Sequence, residues 1–257
     1  MTLFSLEGKI AVVTGASSGL GLLAAKAFAE NGATVALLAR RKEKLESAVA
    51  EITSAGGKAI AVECDVTNED LVKKAIDEVV KELGTIHILL NNAGVAQHGS
   101  VETLTVEEWD NSMNANVKSM FLMSKYTIPV MRKQKYGKVI NISSVNAFVA
   151  DKGDVFVRHV YNASKAAVRG LTLGMAATYA EDNITVNSVG PGLFESEMTE
   201  KTLFADKDFL TMYDKMTPAS RPGKKGELNG TLLYLASDAS SYVTGQYIIV
   251  DGGFSLV

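Results

Sequence analysis

The feature that most constrains the fold of this chain is a short apolar strand that leads directly into a glycine-rich turn and then a helix. Residues 9–14 are mostly apolar and include β-branched side chains, and an apolar helix pattern starts near Leu22. This order brings backbone N–H groups and a helix N-terminus to one point, where a pyrophosphate can bind. The glycines could equally serve only tight packing of the turn. We expect cofactor contacts from the turn residues Gly15, Ser17, Ser18, Gly19, Leu20 and Gly21.

The same alternation of strand and helix patterns continues along the chain. Further strand patterns lie at residues 33–39, 59–64 and 86–91, and three more strand–helix repeats follow, the first with its strand at 138–144. Such alternation predicts an α/β fold, a Rossmann-type doubly wound parallel sheet with helices on both faces and ligands at the carboxyl strand ends. No linker-like stretch divides the 257 residues, so we expect a single domain over residues 1–257.

The end of the second strand indicates which nicotinamide cofactor would bind. An acidic residue at this place suits the ribose hydroxyls of NAD, whereas arginine suits the 2′-phosphate of NADP. Here Ala39 occupies the place of the acid, and Arg40 and Arg41 follow. A charge-assisted hydrogen bond contributes about 1.5–3 kcal/mol, so we predict NADP, with NAD as the alternative. Both arginines could instead only solvate the start of a helix.

Polar and small residues follow the next two strands. Asp65 and Val66 stand where a side chain could reach the adenine, although Asp65 could equally cap the next helix. After the fourth strand, Asn92, Ala93 and Gly94 would lie against the cofactor ribose, because glycine lets the backbone approach closely. We expect all five residues at the cofactor site.

A tyrosine and a lysine stand four positions apart in a stretch that reads as helix from about Val160 to Tyr179. The spacing places Tyr161 and Lys165 on one face, one turn apart. An ordinary tyrosine has a pKa of about 10, and a neighbouring ammonium lowers it by favouring the phenolate. Tyr161 could therefore act as an acid–base group, although such a spacing also arises by chance.

Composition and charge exclude several other classes of function. The net charge of −3 gives no basic surface for nucleic acid or anionic lipid. We expect no signal peptide and no membrane span, since no run of eighteen apolar residues occurs. The single cysteine, Cys64, permits no internal disulfide and fits a cytoplasmic protein. The three histidines lie far apart in sequence, so we expect no metal site.

These motifs together resemble the short-chain dehydrogenases/reductases along essentially the whole chain. The resemblance rests on the glycine turn, on Asn91-Asn92-Ala93-Gly94, on Ser144, on Tyr161-x-x-x-Lys165, and on Pro191-Gly192. It implies that Tyr161 protonates a ketone oxygen or deprotonates an alcohol. Lys165 would hold the nicotinamide ribose and lower the pKa of Tyr161, and Pro191 and Gly192 would lie over the nicotinamide.

Two further roles follow from the resemblance. Ser144 would hydrogen-bond the substrate oxygen, with the adjacent Ser143 as the alternative. Asn116 would position a water for a proton relay to Lys165, with Asn114 as a weaker alternative. Within the family, the residues around Glu195 and around Thr217–Arg221 are similar to the gluconate 5-dehydrogenase group.

The chain departs from the family pattern in one loop. Sixteen residues separate Ser144 from Tyr161, more than the family usually has, and the extra length falls at 149–158. Residues 193–217 read as a helical substrate lid, whose apolar residues would line the substrate or pack on the body: Met198, Phe204, Phe209, Met212 and Met216. A sugar-acid substrate would need a cation for its carboxylate, and the candidates are Lys152, Arg158 and Arg221. The alternative substrates are a cyclic or steroidal secondary alcohol and a short-chain keto ester.

The sequence therefore predicts an NADP-dependent oxidoreductase that interconverts a secondary alcohol and a ketone. An alternative from another class is a nucleotide-sensing or scaffold protein on the same fold, although the full set of Ser144, Tyr161 and Lys165 argues against it. The resemblance also implies a homotetramer, formed through helices near residues 106–125 and 161–179 and through the C-terminal strand. The second of these helices is rich in alanine and glycine, which permits close approach of another helix.

Overall fold

A parallel β-sheet of seven strands forms the centre of the molecule. The computed structural model describes residues 3–150, 157–197, 199–200 and 203–256. Within them the strand order is β3-β2-β1-β4-β5-β6-β7, and every neighbouring pair is parallel. The strands are β1 (Ile10–Thr14), β2 (Thr34–Ala39), β3 (Lys58–Glu63), β4 (Ile88–Asn91), β5 (Gly137–Ile142), β6 (Ile184–Pro191) and β7 (Tyr247–Val250).

Helices connect the strands and cover both faces of the sheet. They are α1 (Gly19–Glu30), α2 (Lys42–Ser54), α3 (Glu69–Leu83), α4 (Val106–Met113), α5 (Ser119–Lys133), α6 (His159–Tyr179), α7 (Lys207–Met216) and α8 (Asn229–Ala236). One turn of π-helix, Asn114–Lys118, joins α4 to α5. Short 3₁₀ turns lie at Val145–Ala147, Ala180–Asp182, Asp238–Ser240 and Phe254–Leu256.

Each face of the sheet buries its own apolar core. On one face, Phe28 of α1, Leu45 of α2 and Leu232 of α8 pack with alternate strand residues. On the other, α3, α5 and α6 contribute residues such as Ile76 and Met123. The inner strands are buried on both faces, which explains why their sequences read as nearly continuous apolar runs. The doubly wound Rossmann-type fold predicted from the sequence is confirmed.

The sheet has its topological switch point between β1 and β4. The chain winds outward from β1 through β2 to β3, then returns to pair β4 with the other edge of β1. In such sheets the crevice beyond the carboxyl strand ends at this point is the usual ligand site. The glycine turn after β1 and the Asn92–Gly94 segment after β4 therefore lie side by side.

The lid predicted from the sequence is helical only in part. Within its described residues, the helix is confined to Lys207–Met216, and residues 193–197 form bends and turns. The cause is Phe194, which is buried in the core and bridges to Gly223, so the chain is held to the body there. Met198 of the lid and Asp151–Phe156 of the longer loop, including Lys152, lie outside the described residues.

The helix cap expected at Asp65 falls on another residue. Asn68 is the N-cap of α3, and its side chain accepts a hydrogen bond from the Leu71 N–H at 3.0 Å. Asp65 instead accepts hydrogen bonds from the backbone N–H and the hydroxyl of Thr67. Asp65 therefore shapes the turn between β3 and α3 and does not cap the helix.

Three observations bear on the classes of function considered above. Over the described residues, no helix is both long and apolar enough to cross a bilayer. Nor do the residues at 3–150, 157–197, 199–200 and 203–256 bring together three side chains of His, Cys, Asp or Glu that could hold a metal. Cys64 is buried, and burial raises the pKa of its thiol to about 12.

Candidate active site

The glycine turn after β1 is packed against the end of β4. Gly15 and Gly19 have φ values of 65° and 57°, which favour glycine. A Cβ at Gly21 would overlap the Asn92 amide and approach the Gly15 carbonyl oxygen to 2.6 Å. The Asn92 side chain in turn donates to the carbonyl of Thr14 at 3.0 Å. These contacts fix the turn beside the Asn92–Gly94 segment at the switch point.

A cluster of hydroxyl groups and cations surrounds the outer end of this turn. The Arg41 guanidinium donates through Nη2 to the hydroxyls of Ser17 and Ser18, both at 2.9 Å. It also binds the carboxylate of Glu197, and the Lys44 ammonium binds the same carboxylate at 2.6 Å. We call Ser17, Ser18, Arg41 and Lys44 the anion cluster, because together they already hold one anionic group.

The sequence indicated two arginines, and the hydrogen bonds to the turn serines come from Arg41. Arg40 is exposed, and its charge acts on Asp65. Partial burial alone would raise the pKa of Asp65, but hydrogen bonds from Thr67 and the charge of Arg40 bring it below its usual value. Asp65 and Val66 lie after β3, one strand beyond β2, at the same carboxyl edge of the sheet.

Lys165 carries a buried ammonium next to the ring of Tyr161. Its Nζ lies 5.6 Å from the centre of that ring and donates to the carbonyl of Ile142 at 3.0 Å. Only 4% of Lys165 is exposed, and burial lowers the pKa of its ammonium to about 8. The group is therefore charged near neutral pH but close to losing its proton.

Asn116 lies within the π-helical turn and is completely buried. Its side chain accepts from the Val95 N–H at 2.8 Å and donates to the Val95 carbonyl and to the Ser164 hydroxyl. A Cβ at Gly94 would lie 2.8 Å from Asn116 Oδ1 and 3.6 Å from Lys165 Nζ. Gly94 is thus flanked by both groups, and its lack of a side chain keeps that space open.

The two adjacent serines after β5 have different surroundings. The Ser143 hydroxyl donates to the carbonyl of Lys165 at 2.8 Å, so it ties β5 to α6. The Ser144 hydroxyl accepts from the Asn146 N–H and lies at the start of a 3₁₀ turn. The Tyr247 hydroxyl, from β7, bonds both the N–H and the carbonyl of Ser144. The Ser143 hydroxyl thus serves to join β5 to α6, whereas Ser144 is fixed in place through its backbone groups.

The remaining candidates border this crevice. Pro191 ends β6, and the Gly192 N–H donates to the Val250 carbonyl of β7 at 2.9 Å. Arg158 lies with its guanidinium 6.0 Å from the centre of the Tyr161 ring. Arg221 instead forms a bidentate ion pair with Glu227. In the lid, Met212 and Met216 are about half exposed.

Comparison with known proteins agrees with the geometry. A family model described as enoyl-(acyl carrier protein) reductase matches residues 15–255. Gluconate 5-dehydrogenase of Gluconobacter oxydans (strain 621H) is 40% identical over 99% of this chain and 97% of its own length. The 3-oxoacyl-[acyl-carrier-protein] reductase FabG of Thermotoga maritima is 40% identical over 96% of this chain and 98% of its own.

A solved structure gives the same result in three dimensions. The gluconate 5-dehydrogenase of Burkholderia cenocepacia J2315, in complex with NADP and tartrate, superposes with a TM-score of 0.94 at 35% identity, covering 99% of this chain and 98% of that one. The chain therefore belongs to the short-chain dehydrogenase/reductase family. It is an oxidoreductase of the NAD(P)-dependent alcohol dehydrogenase and ketoreductase type, similar to gluconate 5-dehydrogenases.

Sequence reasoning missed three residues near the site. Lys44 and Glu197 meet at the anion cluster although 153 positions separate them, and Tyr247 reaches Ser144 across 103 positions. No local pattern marks such pairs. Of the three, only Lys44 could have been found from the sequence, because it lies in the first turn of α2, one helical turn after Arg41.

Proposed function

We propose that this protein is an NADP-dependent oxidoreductase that interconverts a secondary alcohol and a ketone, with Tyr161 as the general acid and base. The observation that carries the proposal is the buried Lys165 ammonium 5.6 Å from the centre of the Tyr161 ring. A cation held there by its hydrogen bond to the Ile142 carbonyl favours the phenolate form of the tyrosine. Its position at the carboxyl end of the sheet, beside Gly94, supports a reaction at the nicotinamide end of the cofactor.

In the direction of reduction, the Tyr161 hydroxyl donates its proton to the ketone oxygen. The Ser144 hydroxyl donates a hydrogen bond to the same oxygen and stabilises the negative charge that develops on it. The Lys165 ammonium stabilises the phenolate that remains. Asn116 positions a water through which Lys165 and Tyr161 recover the proton. The cofactor, when bound, supplies the hydride.

The residues present fit NADP. The anion cluster already accepts a carboxylate, and a phosphate uses the same donors. It would hold the 2′-phosphate, while the N–H groups of the Gly15–Gly21 turn hold the pyrophosphate. Arg40 lies nearby and adds positive charge. Asp65 and Val66 would contact the adenine, Asn92–Gly94 and Lys165 the riboses, and Pro191 and Gly192 the nicotinamide.

We further propose a hydroxylated carboxylic acid of the sugar-acid type as substrate. Besides Lys165, the guanidinium of Arg158 also lies near Tyr161, at 6.0 Å from its ring centre, and could bind the carboxylate. The relatives named gluconate 5-dehydrogenase support this choice. Replacement of Arg158 by Gln should raise KM for 5-ketogluconate more than KM for an uncharged ketone of similar size. An equal change for both would refute the carboxylate role.

The protein is also proposed to act as a homotetramer. Phe121 of α5 and Leu173 of α6 are about half exposed in the single chain. On α6, a Cβ at Gly170 or Gly174 would meet nothing within 4 Å, so this face is open and flat. These two glycines therefore do not pack on the sheet of the same chain, whereas Ala176 of the same helix is buried in the core, and an apolar, flat helix face suits contact with a second copy.

The variant Tyr161→Phe tests the proposed function. It should lose essentially all turnover of NADPH with a panel of ketones, while NADPH still binds with the affinity of the wild type. Tyr179→Phe, at the end of the same helix, should keep full activity. Full activity of Tyr161→Phe would refute the mechanism. If the wild type binds NADPH but turns over no member of a broad ketone and alcohol panel, a nucleotide-sensing role would replace the enzymatic one.

A further inference from the structure

We propose that Glu197 of the lid competes with the 2′-phosphate of NADP for the anion cluster, and so closes the cofactor site until a 2′-phosphate displaces it. We call this contact the Glu197 latch. The inference rests on the proposed NADP-dependent function, because NADP supplies the competing phosphate. If the latch operates, Glu197 and Lys44 determine cofactor specificity. Neither residue belongs to the arginine pair after the second strand or to the glycine turn.

The geometry of the latch is that of a bound anion. Arg41 binds the two carboxylate oxygens of Glu197 with two separate nitrogens, at 2.9 and 2.8 Å, and Lys44 adds a third donor at 2.6 Å. Hydrogen bonds from Arg41, Lys44 and Ser18 hold the pKa of the Glu197 carboxyl well below its usual range. The carboxylate is thus charged at every pH at which the protein would work.

The donors that hold Glu197 are those a 2′-phosphate would need. Arg41 links the carboxylate to Ser17 and Ser18 at the outer end of the glycine turn. Ser18 is the N-cap of α1, yet its side chain forms no hydrogen bond with the helix and instead faces the guanidinium. Carboxylate and phosphate both bind a guanidinium through two parallel hydrogen bonds, so the two anions exclude each other there.

The chain around Glu197 also lies over the glycine turn itself. A Cβ at Gly19 would be 3.5 Å from the Ser196 Cβ and 4.0 Å from the Glu197 nitrogen. Upstream, Phe194 is anchored in the core, and Glu195 pairs with Lys225 at 2.9 Å. The latch therefore holds a short turn, fixed at its start, against the place where the pyrophosphate would enter.

This arrangement makes opening of the site part of the binding equilibrium. A site that is open for one tenth of the time binds its ligand about tenfold more weakly than a permanently open one. A cofactor with a 2′-phosphate replaces the lost ion pairs of Arg41 and Lys44 after the turn has moved. A cofactor without it leaves both cations unpaired, so the latch discriminates against NAD.

The test measures equilibrium binding of NADPH by titration calorimetry to the full-length wild type and to variants. Glu197→Gln removes the charge and keeps the shape, and should tighten NADPH binding about tenfold. Glu195→Gln is the matched control, because Glu195 lies two residues away and pairs outside the anion cluster. It should bind NADPH like the wild type.

A double-mutant cycle assigns the effect to the latch. In a background that carries both Arg41→Ala and Lys44→Ala, Glu197→Gln should change NADPH affinity less than twofold, because both cationic partners of the carboxylate are gone. If Glu197→Gln binds NADPH equally well or more weakly while the wild type binds it, the latch is refuted and the proposed function stands. If neither the wild type nor Glu197→Gln binds NADPH, the proposed NADP dependence fails, and the latch fails with it.

Discussion

The hydroxyl of Tyr247 bonds both backbone polar groups of Ser144, although the two residues lie 103 positions apart. Tyr247 belongs to β7, the edge strand, and its ring packs edge-on against Phe148 at a centroid distance of 4.6 Å. It also covers Gly190, where a Cβ would approach the ring to 2.5 Å. The strand that closes the sheet therefore fixes the backbone of a proposed catalytic serine.

This contact makes Tyr247 a positioning residue. In Tyr247→Phe the backbone of Ser144 loses its partner, and we expect kcat to fall about tenfold because the serine hydroxyl is less well placed. The affinity for NADPH should be unchanged. The matched control is Tyr242→Phe, which removes a hydroxyl from a fully exposed tyrosine and should have no effect. Equal kcat for both variants would contradict the positioning role.

The buried ammonium of Lys165 predicts a specific pH dependence of stability. Its pKa is about 8 in the folded chain, against about 10.4 in an unfolded one. Between these values the unfolded chain holds a proton that the folded chain has released, so the free energy of unfolding rises with pH. This contribution is absent in Lys165→Met.

The measurement is urea unfolding of the wild type and Lys165→Met at several pH values from 7.5 to about 10.5, the window set by the two pKa values. The free energy of unfolding of the wild type minus that of the variant should increase steadily with pH, because the other titrating groups are common to both proteins. A difference that stays flat or decreases would mean that the ammonium is well solvated in the folded protein.

Gly94 should be sensitive to the smallest possible substitution. In Gly94→Ala the new methyl group meets Asn116 Oδ1 at 2.8 Å, so the amide or the strand end must shift. We expect a loss of about 1–3 kcal/mol in the free energy of unfolding and at least a tenfold loss of turnover. Gly230→Ala, on α8 with nothing within 4 Å, should be neutral or slightly stabilising. Thermal unfolding and a turnover assay would reveal any departure from this contrast.

The two neighbouring arginines should differ in their effect on cofactor choice. Arg41→Ala should lower the ratio of NADPH to NADH affinity about tenfold or more, since it removes a charge-assisted hydrogen bond from the anion cluster. Arg40→Ala removes the same charge one residue earlier and should change the ratio less than threefold, because Arg40 is exposed and its charge acts on Asp65. A larger effect of Arg40→Ala would indicate that the 2′-phosphate binds nearer to Asp65.

The exposed face of α5 should govern assembly. Phe121→Glu places a charge on the face proposed to contact another copy, and should shift the tetramer to smaller species in light scattering. Leu71→Glu changes a side chain of α3 with comparable exposure and should remain tetrameric. A monomeric wild type, or an equal shift in both variants, would rule out the proposed interface.

Much of the fold could be predicted because its causes are local. Strands buried on both faces appear as apolar runs, and the glycine turn and helix starts have residue types that only a few conformations satisfy. The spacing of Tyr161 and Lys165 translates directly into a shared helix face, and the structure has both on α6. The prediction failed at the first half of the lid, where burial of Phe194 overrides helix propensity.

The features of the site that could not be predicted from the sequence depend on tertiary contacts. Arg40 and Arg41 are adjacent and chemically identical, so only the direction of the chain after β2 decides which one reaches Ser17 and Ser18. Similarly, whether Asp65 or Asn68 caps α3 depends on where the turn after β3 ends. The contact of Glu197 with Arg41 spans 156 positions and leaves no periodic trace.

The π-helical turn at Asn114–Lys118 limits how this protein can change in length. A π-helical turn holds about one residue more than an α-helical turn, so deletion of one residue here would convert the wide turn to a regular one and point its side chains in new directions. Asn116 would then leave Val95 and Ser164. The α4–π–α5 segment should therefore not tolerate the insertions and deletions that surface loops tolerate, even though much of its outer side faces solvent.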